Sequence, residues 1–196
     1  MAQAQLLERG QRAPVIGARL YFAGASAVGK STVASSLREV LGLPVHEVEA
    51  EECWGEPPGR ERQECFAITF LEKMDKGYGI YTNHLASVYG YTVAMGAGED
   101  LAEEIRAMLA IRGDWVIVLT ASRDEIARRI EARLSREPRR SRNIVEEELD
   151  LHVRAQRAII ELAVDLGYPV LDTTGRSLDE VIRDVLGVMR SKGWVP

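Results

Sequence analysis

The nine residues GASAVGKST, positions 24–32, decide how the rest of the chain is read. Gly24 to Ser31 fit G-x-x-x-x-G-K-[ST], and the stretch stands between a short β-rich run, ARLYFA, and a helix-patterned one, VASSLREVLG. That strand, loop and helix context is what the motif requires, and it argues against a chance match in a glycine-containing turn. Gly24 and Gly29 let the backbone turn its N–H groups toward phosphates without a Cβ in the way, and the helix opening near Lys30 adds the positive end of its dipole. Lys30 would reach the β- and γ-phosphates, and the Ser31 hydroxyl would hold Mg²⁺. The expected nucleotide site is therefore Gly24, Ala25, Ser26, Ala27, Val28, Gly29, Lys30, Ser31 and Thr32, with ATP and Mg²⁺ as its ligands.

Away from this loop, short β-rich runs alternate with longer helical ones. Strands are expected over 18–23, 44–48, 79–82, 115–119 and 168–171, the run WVIVL at 115–119 being apolar throughout, as for a parallel strand covered on both faces. The helix after the loop carries Val33, Leu37, Val40 and Leu41 on one face and ends at Gly42. Further helices are expected over 61–76, where Phe66, Phe70 and Met74 lie four apart, over 84–95, and around Leu101, Ile105, Met108 and Leu109. Ser122 caps another, with Glu125 completing a capping box. A long helix over about 145–166 and a last one with Leu178, Val181, Ile182, Val185, Leu186 and Met189 at a 3.6 period complete the pattern. Five strands alternating with helices predict an α/β fold, a three-layer, doubly wound, five-stranded parallel sheet of the P-loop NTPase type with an arginine-rich lid. One domain spans 1–196, with 1–17 an N-terminal extension and 123–145 the lid region.

Composition narrows the classes. The 196 residues carry 46% hydrophobic and 28% charged side chains, ordinary for a soluble globular protein. No run approaches the roughly 18 apolar residues of a membrane span. The first residues, MAQAQLLERGQRAP, lack the apolar stretch of a signal peptide, so a cytoplasmic location is expected. A net charge of -5 gives no overall basic field for nucleic acid. Cys53 and Cys65 have no cysteine or histidine partner at zinc spacing and are read as buried structural thiols.

The loop alone does not say which phosphate chemistry follows. A GTPase needs D-x-x-G after its third strand and a base-reading [NT]-K-x-D after a later one. Here DTTG, 172–175, follows the last strand, and TASRD after WVIVL has Ala121 where the lysine should stand. Motor and transport ATPases end an apolar run in Asp, whereas Asp114 precedes this one. A small kinase fits best. Three features resemble the thymidylate kinase and deoxynucleoside kinase group: Glu49 after the second strand with Trp54 five residues on, the arginine series Arg129, Arg133, Arg136 with Glu137, and a long helix with a Leu-His pair ending at His152. The resemblance covers roughly 18–186 and departs at one place. Where the group has an acid followed by arginine, this chain has Asn83 and His84. Asn83 can still bind through Mg²⁺-bound water but lacks the charge and cannot serve as a base, and His84 cannot reproduce an arginine's bidentate grip on phosphate.

Phosphoryl transfer needs a carboxylate near the acceptor hydroxyl and positive charge around the moving group. Glu49 is the candidate base, against the alternative of a solvated acidic loop. Arg129, Arg133 and Arg136 share one helical face and can close over phosphates, excluding water, against the alternative of a surface helix paired through Glu125. Arg139, Arg140 and Arg142 can also touch RNA phosphates, though nucleic acid is not the expected partner. Trp54, Tyr78, Tyr81, Tyr89 and Tyr91 can stack a base, and Tyr91 is favoured on its helix over Tyr89, which points elsewhere. The expected catalytic set is Lys30, Glu49, Arg129, Arg133 and Arg136, and the expected acceptor contacts are Glu49, Trp54, Asn83, His84 and Tyr91. The sequence therefore reads as an ATP- and Mg²⁺-dependent kinase of a nucleoside or nucleoside monophosphate. The alternatives are a kinase of another small metabolite on the same fold and a non-catalytic nucleotide-binding module. A homodimer is compatible with this reading, and no membrane partner is expected.

Overall fold

The computed structural model describes residues 19–74, 76–112, 114–134 and 146–194. Five strands, β1 (Arg19–Ala23), β2 (Val45–His46), β3 (Gly79–Tyr81), β4 (Trp115–Thr120) and β5 (Val170–Asp172), form one parallel sheet in the order β2-β3-β1-β4-β5. Among the described residues seven α-helices accompany them: α1 (Lys30–Leu41), α2 (Arg60–Lys73), α3 (Leu85–Met95), α4 (Glu99–Arg112), α5 (Arg123–Leu134), α6 (Glu146–Leu166) and α7 (Leu178–Ser191). A 3-10 turn, Glu51–Gly55, follows β2 and was not foreseen from sequence; strand β2 is shorter than the expected 44–48. Parallel strands place the carboxyl ends of β1, β2 and β3 on one edge, so the segments that follow them share a crevice.

Strand alternation builds two cores. Leu20 and Phe22 of β1 with Ile117 and Leu119 of β4 face α1, α5 and α7, packing on Val33, Leu37, Ile126, Ile130, Val181 and Val185. The intervening Tyr21, Ala23, Val116 and Val118 face Phe70, Leu85, Ile105, Ile159 and Leu162 on the other side. Each fully buried aliphatic side chain contributes roughly 1.5–3 kcal/mol, so continuous apolar strands are stable only with both faces covered. Trp115 stacks on Trp194, 5.2 Å between ring centroids, closing the sheet's amino end.

The helix termini follow their local chemistry. Gly42 takes the left-handed conformation at the end of α1 and donates to the Arg38 carbonyl. Ser177 forms a reciprocal capping box with Glu180 at the start of α7. Ser122 does accept from the Glu125 amide at 3.2 Å, but its own amide donates to the Thr174 hydroxyl and the Glu125 carboxylate is taken by Arg128 and Arg129, so the expected box is replaced. No helix among the described residues is long and apolar enough to cross a membrane.

The cysteine reading is overturned. Cys53 and Cys65 are joined in a disulfide, with Cα atoms 5.6 Å apart, because the 3-10 turn packs directly on α2.

Helices α3 and α6 pack closely across Gly90. A Cβ there would lie 2.3 Å from Ile159 Cγ1 and 2.7 Å from the Ala155 carbonyl oxygen. Gly90→Ala is expected to destabilise the fold by about 2 kcal/mol and to lower Tm by about 6 °C in scanning calorimetry, whereas a change below about 1 °C would show that the helices have room to spare.

Candidate active site

The loop between β1 and α1 is shaped by three unusual backbone positions. Gly24 and Gly29 have φ of 144° and 102°, and Ala27 has φ 62°. A Cβ on Gly24 would lie 2.4 Å from the Leu119 carbonyl oxygen, so only glycine allows the loop to rest on the end of β4. Helix α1 begins with no side-chain cap and no acid in its first turn, which leaves the leading amides and the dipole end open to an anion. Lys30 lies inside the loop, its ammonium donating to the carbonyls of Gly24 (2.8 Å) and Ala25 (2.7 Å). Burial, then the charge of Arg133, bring its pKa down to about 7. Ser31 and Thr32 are exposed beside the open amides.

Helix α3 holds the loop from below. Ser87 Oγ accepts from the Gly24 amide at 3.2 Å, and one turn later the Tyr91 hydroxyl accepts from the Ser26 amide at 3.0 Å. The Tyr91 hydroxyl also lies 2.8 Å from His152 Nδ1 on α6. Burial raises the Tyr91 pKa to about 12, while burial and the charge of Lys30 lower that of His152 to about 4, so both are neutral near pH 7. The hydroxyl that accepts from Ser26 is thus also hydrogen-bonded to the His152 ring. Tyr91, expected among the acceptor contacts as a stacking ring, is bound to the phosphate loop through its hydroxyl. Tyr89, two residues earlier, packs into the core instead.

Arg129 clamps the other side of the loop. Its guanidinium donates to the Thr173 hydroxyl and carbonyl at 2.8 Å each and to the Ala27 carbonyl at 3.3 Å, while Nε pairs with Glu125 at 2.7 Å. The Arg128 guanidinium, with that of Arg129, holds the Glu125 carboxyl down at about 2. The pairing through Glu125 is present at Arg129, whose guanidinium is also fastened to the backbone of the phosphate loop. Arg133 is exposed on the next turn, and its charge acts on Lys30. Arg136 and Glu137, with Arg139, Arg140 and Arg142, lie outside the described residues.

At the ends of β2 and β3, where the acceptor contacts are expected, Glu49 is exposed in the loop after β2, its backbone carbonyl held by the Lys73 ammonium, which also pairs with Glu52 at 2.9 Å. The Val48 amide donates to the Thr82 hydroxyl at 3.2 Å, fastening the end of β2 to that of β3. Trp54 is 64% exposed, with Phe66 at its edge and Arg62 over its ring. Asn83 is half-buried, its Oδ1 accepting from the His84 amide.

His84 is corrected. It is fully buried and caps α3 by accepting from the Ala86 amide through Nδ1, while Nε2 meets Asp114 at 3.4 Å. Asp114 precedes β4, at the end of the sheet opposite the loop, and the ring packs against Tyr21. Both nitrogens are engaged away from the crevice, so His84 is a packing and capping residue and leaves the acceptor side. A cavity of about 390 Å³ near Asp114, Tyr168, Lys192 and Trp194 lies at that same opposite end.

Sequence reasoning missed Ser87, Thr173 and Gln156. Ser87 was legible as the residue one helical turn before Tyr91. Thr173 is buried with its hydroxyl against the carbonyls of Val28 (3.1 Å) and Thr120 (2.9 Å), a role its DTTG setting did not announce. Gln156 spans both backbone groups of Ala121, at 2.9 and 2.8 Å.

For Mg²⁺, no group of three His, Cys, Asp or Glu among the described residues is placed to hold a metal. The exposed Ser31 hydroxyl beside the open amides fits an ion carried mostly by phosphate oxygens and water.

Two outcomes follow. Polyphosphate contact favours the Lys30 ammonium, so MgATP affinity should be constant below pH 7 and fall by about tenfold per unit above it, with proton uptake on binding at pH 8 by titration calorimetry; Lys30→Met should abolish both. Arg129→Ala should raise the ATP half-saturation by about tenfold while leaving the α/β circular dichroism spectrum intact.

Comparison with known proteins agrees with this geometry. Residues 26–190 match the family model described as "SKI: Shikimate kinase". No curated protein matches the sequence. Among solved structures, thymidylate kinase from Candida albicans is 16% identical, covering 91% of this chain and 93% of that one, with a TM-score of 0.63. Shikimate kinase from Acinetobacter baumannii, in complex with shikimate, is 15% identical, covering 91% and 96%, with a TM-score of 0.62. Deoxyadenosine kinase from M. mycoides with bound dCTP is 15% identical, covering 88% and 99%, with a TM-score of 0.57. A phosphate loop held open between α3 and Arg129, in a chain matched by the family model over most of its length, belongs to the shikimate kinase family: this is an ATP-dependent kinase among the small P-loop kinases.

Proposed function

We propose that the protein transfers the γ-phosphoryl group of MgATP to a hydroxyl of a nucleoside or nucleoside monophosphate. The single observation that carries this reading is the uncapped start of α1, with Lys30 in the loop and Glu49 exposed at the same edge of the sheet. The loop amides and Lys30 would neutralise the leaving phosphates as the nucleotide displaces the lysine from the Gly24 and Ala25 carbonyls. Mg²⁺, held through Ser31, would neutralise charge on the phosphate oxygens. Glu49 would orient or deprotonate the acceptor hydroxyl. Arg133 and, from the lid, Arg136 would add positive charge where it develops, with Arg129 fixing the helix that carries Arg133 to the loop. A cytoplasmic site of action, where ATP is supplied, goes with this reading.

Within that class the uncharged acceptor is favoured. With His84 turned away and Asn83 neutral, the end of β3 supplies no cation for a monophosphate. The matched family favours a second reading, a kinase of another small hydroxylated metabolite such as the shikimate bound by one structural neighbour.

A coupled ADP-release assay over nucleosides, nucleoside monophosphates, shikimate and sugars separates the two. Acceptor-dependent release with a nucleoside is expected, and release with shikimate or a sugar alone would replace the first reading by the second. Glu49→Gln should cut kcat by about 100-fold or more with ATP affinity unchanged, and a near-native rate would remove Glu49 from the mechanism.

A further inference from the structure

We propose that the Cys53–Cys65 disulfide is a reversible thiol-exchange site whose co-reactant is a dithiol, and that its state sets how firmly the Trp54 turn is held at the acceptor edge. The inference rests on the reading of that edge as the acceptor side. The bond joins the 3-10 turn to α2 across a separation of 12 residues, and the chain between them includes the turn residues GEPPG. It ties no two strands together: Cys53 belongs to the core beneath α2 and α3 and Cys65 packs at its margin.

The two sulfurs differ in access. Cys53 is fully buried among Val48, Ala50, Ala67 and Phe70, whereas Cys65 is only partly buried on α2. An attacking thiolate therefore meets Cys65 Sγ. The S–S bond breaks, the dithiol is bonded to Cys65, and Cys53 leaves with the electron pair and takes up a proton, 3.5 Å from the Thr69 hydroxyl. The second thiol of the dithiol then attacks its own sulfur in the mixed disulfide, releasing Cys65 as a thiol. Two electrons and two protons pass to the protein, and the dithiol departs as a disulfide. Cys53 keeps a good seat afterwards, since a free cysteine packs as a small apolar side chain.

With the bridge open, the turn keeps the buried Cys53 side chain beside Thr69 but loses its covalent tie to α2, and its other described contacts lie at the surface. Lys73 holds the half-exposed Glu52 carboxylate and the Glu49 carbonyl, Arg62 holds the Glu56 carbonyl, and Trp54 meets Phe66 edge-on. None of these reaches the phosphate loop, which is fixed by Ser87, Tyr91 and Arg129. Reduction therefore loosens the segment from Glu49 to Gly59 and leaves nucleotide binding unchanged.

The test compares full-length protein as isolated in air, the same protein after dithiothreitol, and Cys65→Ser, which keeps Cys53 in its seat. Thiol titration should find no free thiol before reduction and two after it. Hydrogen exchange read by mass spectrometry should show peptides over 48–64, which contain the Cys53 and Glu56 amides of the turn, exchanging about tenfold faster in the reduced and Cys65→Ser forms, with 24–33 unchanged. For any acceptor turned over, the half-saturation should rise by about tenfold on reduction with that of ATP unchanged. Equal exchange over 48–64 in all three forms, or two titratable thiols in the air-isolated protein, overturns the proposal, and an acceptor half-saturation that ignores reduction overturns its functional half. The exchange arm needs no acceptor, so it stands even if the kinase reading fails.

Discussion

Gly24 can follow β1 only without a side chain, since the Leu119 carbonyl occupies the place of its Cβ. That contact presses the phosphate loop onto the carboxyl end of β4 and fixes which way its amides face. The amides of Gly24 and Ser26 are taken from below by Ser87 and Tyr91, so the cradle is filled on the protein side and open on the other. The uncapped first turn of α1 continues the same surface. Loop shape, helix dipole and the packing of α3 thus depend on one close approach between two strands' ends.

The charges around the loop are arranged to be relieved by an anion. Lys30 and Arg133 repel each other across a site whose other near neighbours, Tyr91 and His152, are neutral. An incoming polyphosphate supplies the negative charge that the described surroundings of Lys30 do not, and each cation gains by it. Loop carbonyls hold the lysine meanwhile, and these are weaker partners for an ammonium than phosphate oxygens.

Most of this was legible because it is written in local pattern. The glycine loop, the apolar WVIVL run and the 3.6 period of the last helix each fix an element by themselves, and five such elements in alternation leave a parallel sheet as the natural architecture. What could not be read depends on which side chains meet across the fold. His84 stands beside Asn83 in sequence, yet its ring turns toward Tyr21 and Asp114 because the start of α3 needs a cap and the core beneath it takes an aromatic. The cysteines, twelve apart, meet only because an unforeseen 3-10 turn folds back on α2. Thr173, in a tetrapeptide suggestive of another enzyme class, serves two backbone carbonyls and one guanidinium, brought together from the phosphate loop, β4 and α5.

Arg129 carries a mechanical implication. A guanidinium fastened at once to Ala27 in the phosphate loop and to Thr173 after β5 makes the middle of α5 part of the rigid frame. Arg129 is thereby spent on bracing the loop and shapes the nucleotide site through the backbone it holds, whereas Arg133, one turn further along the same helix, is exposed and lends its charge directly to the surroundings of Lys30.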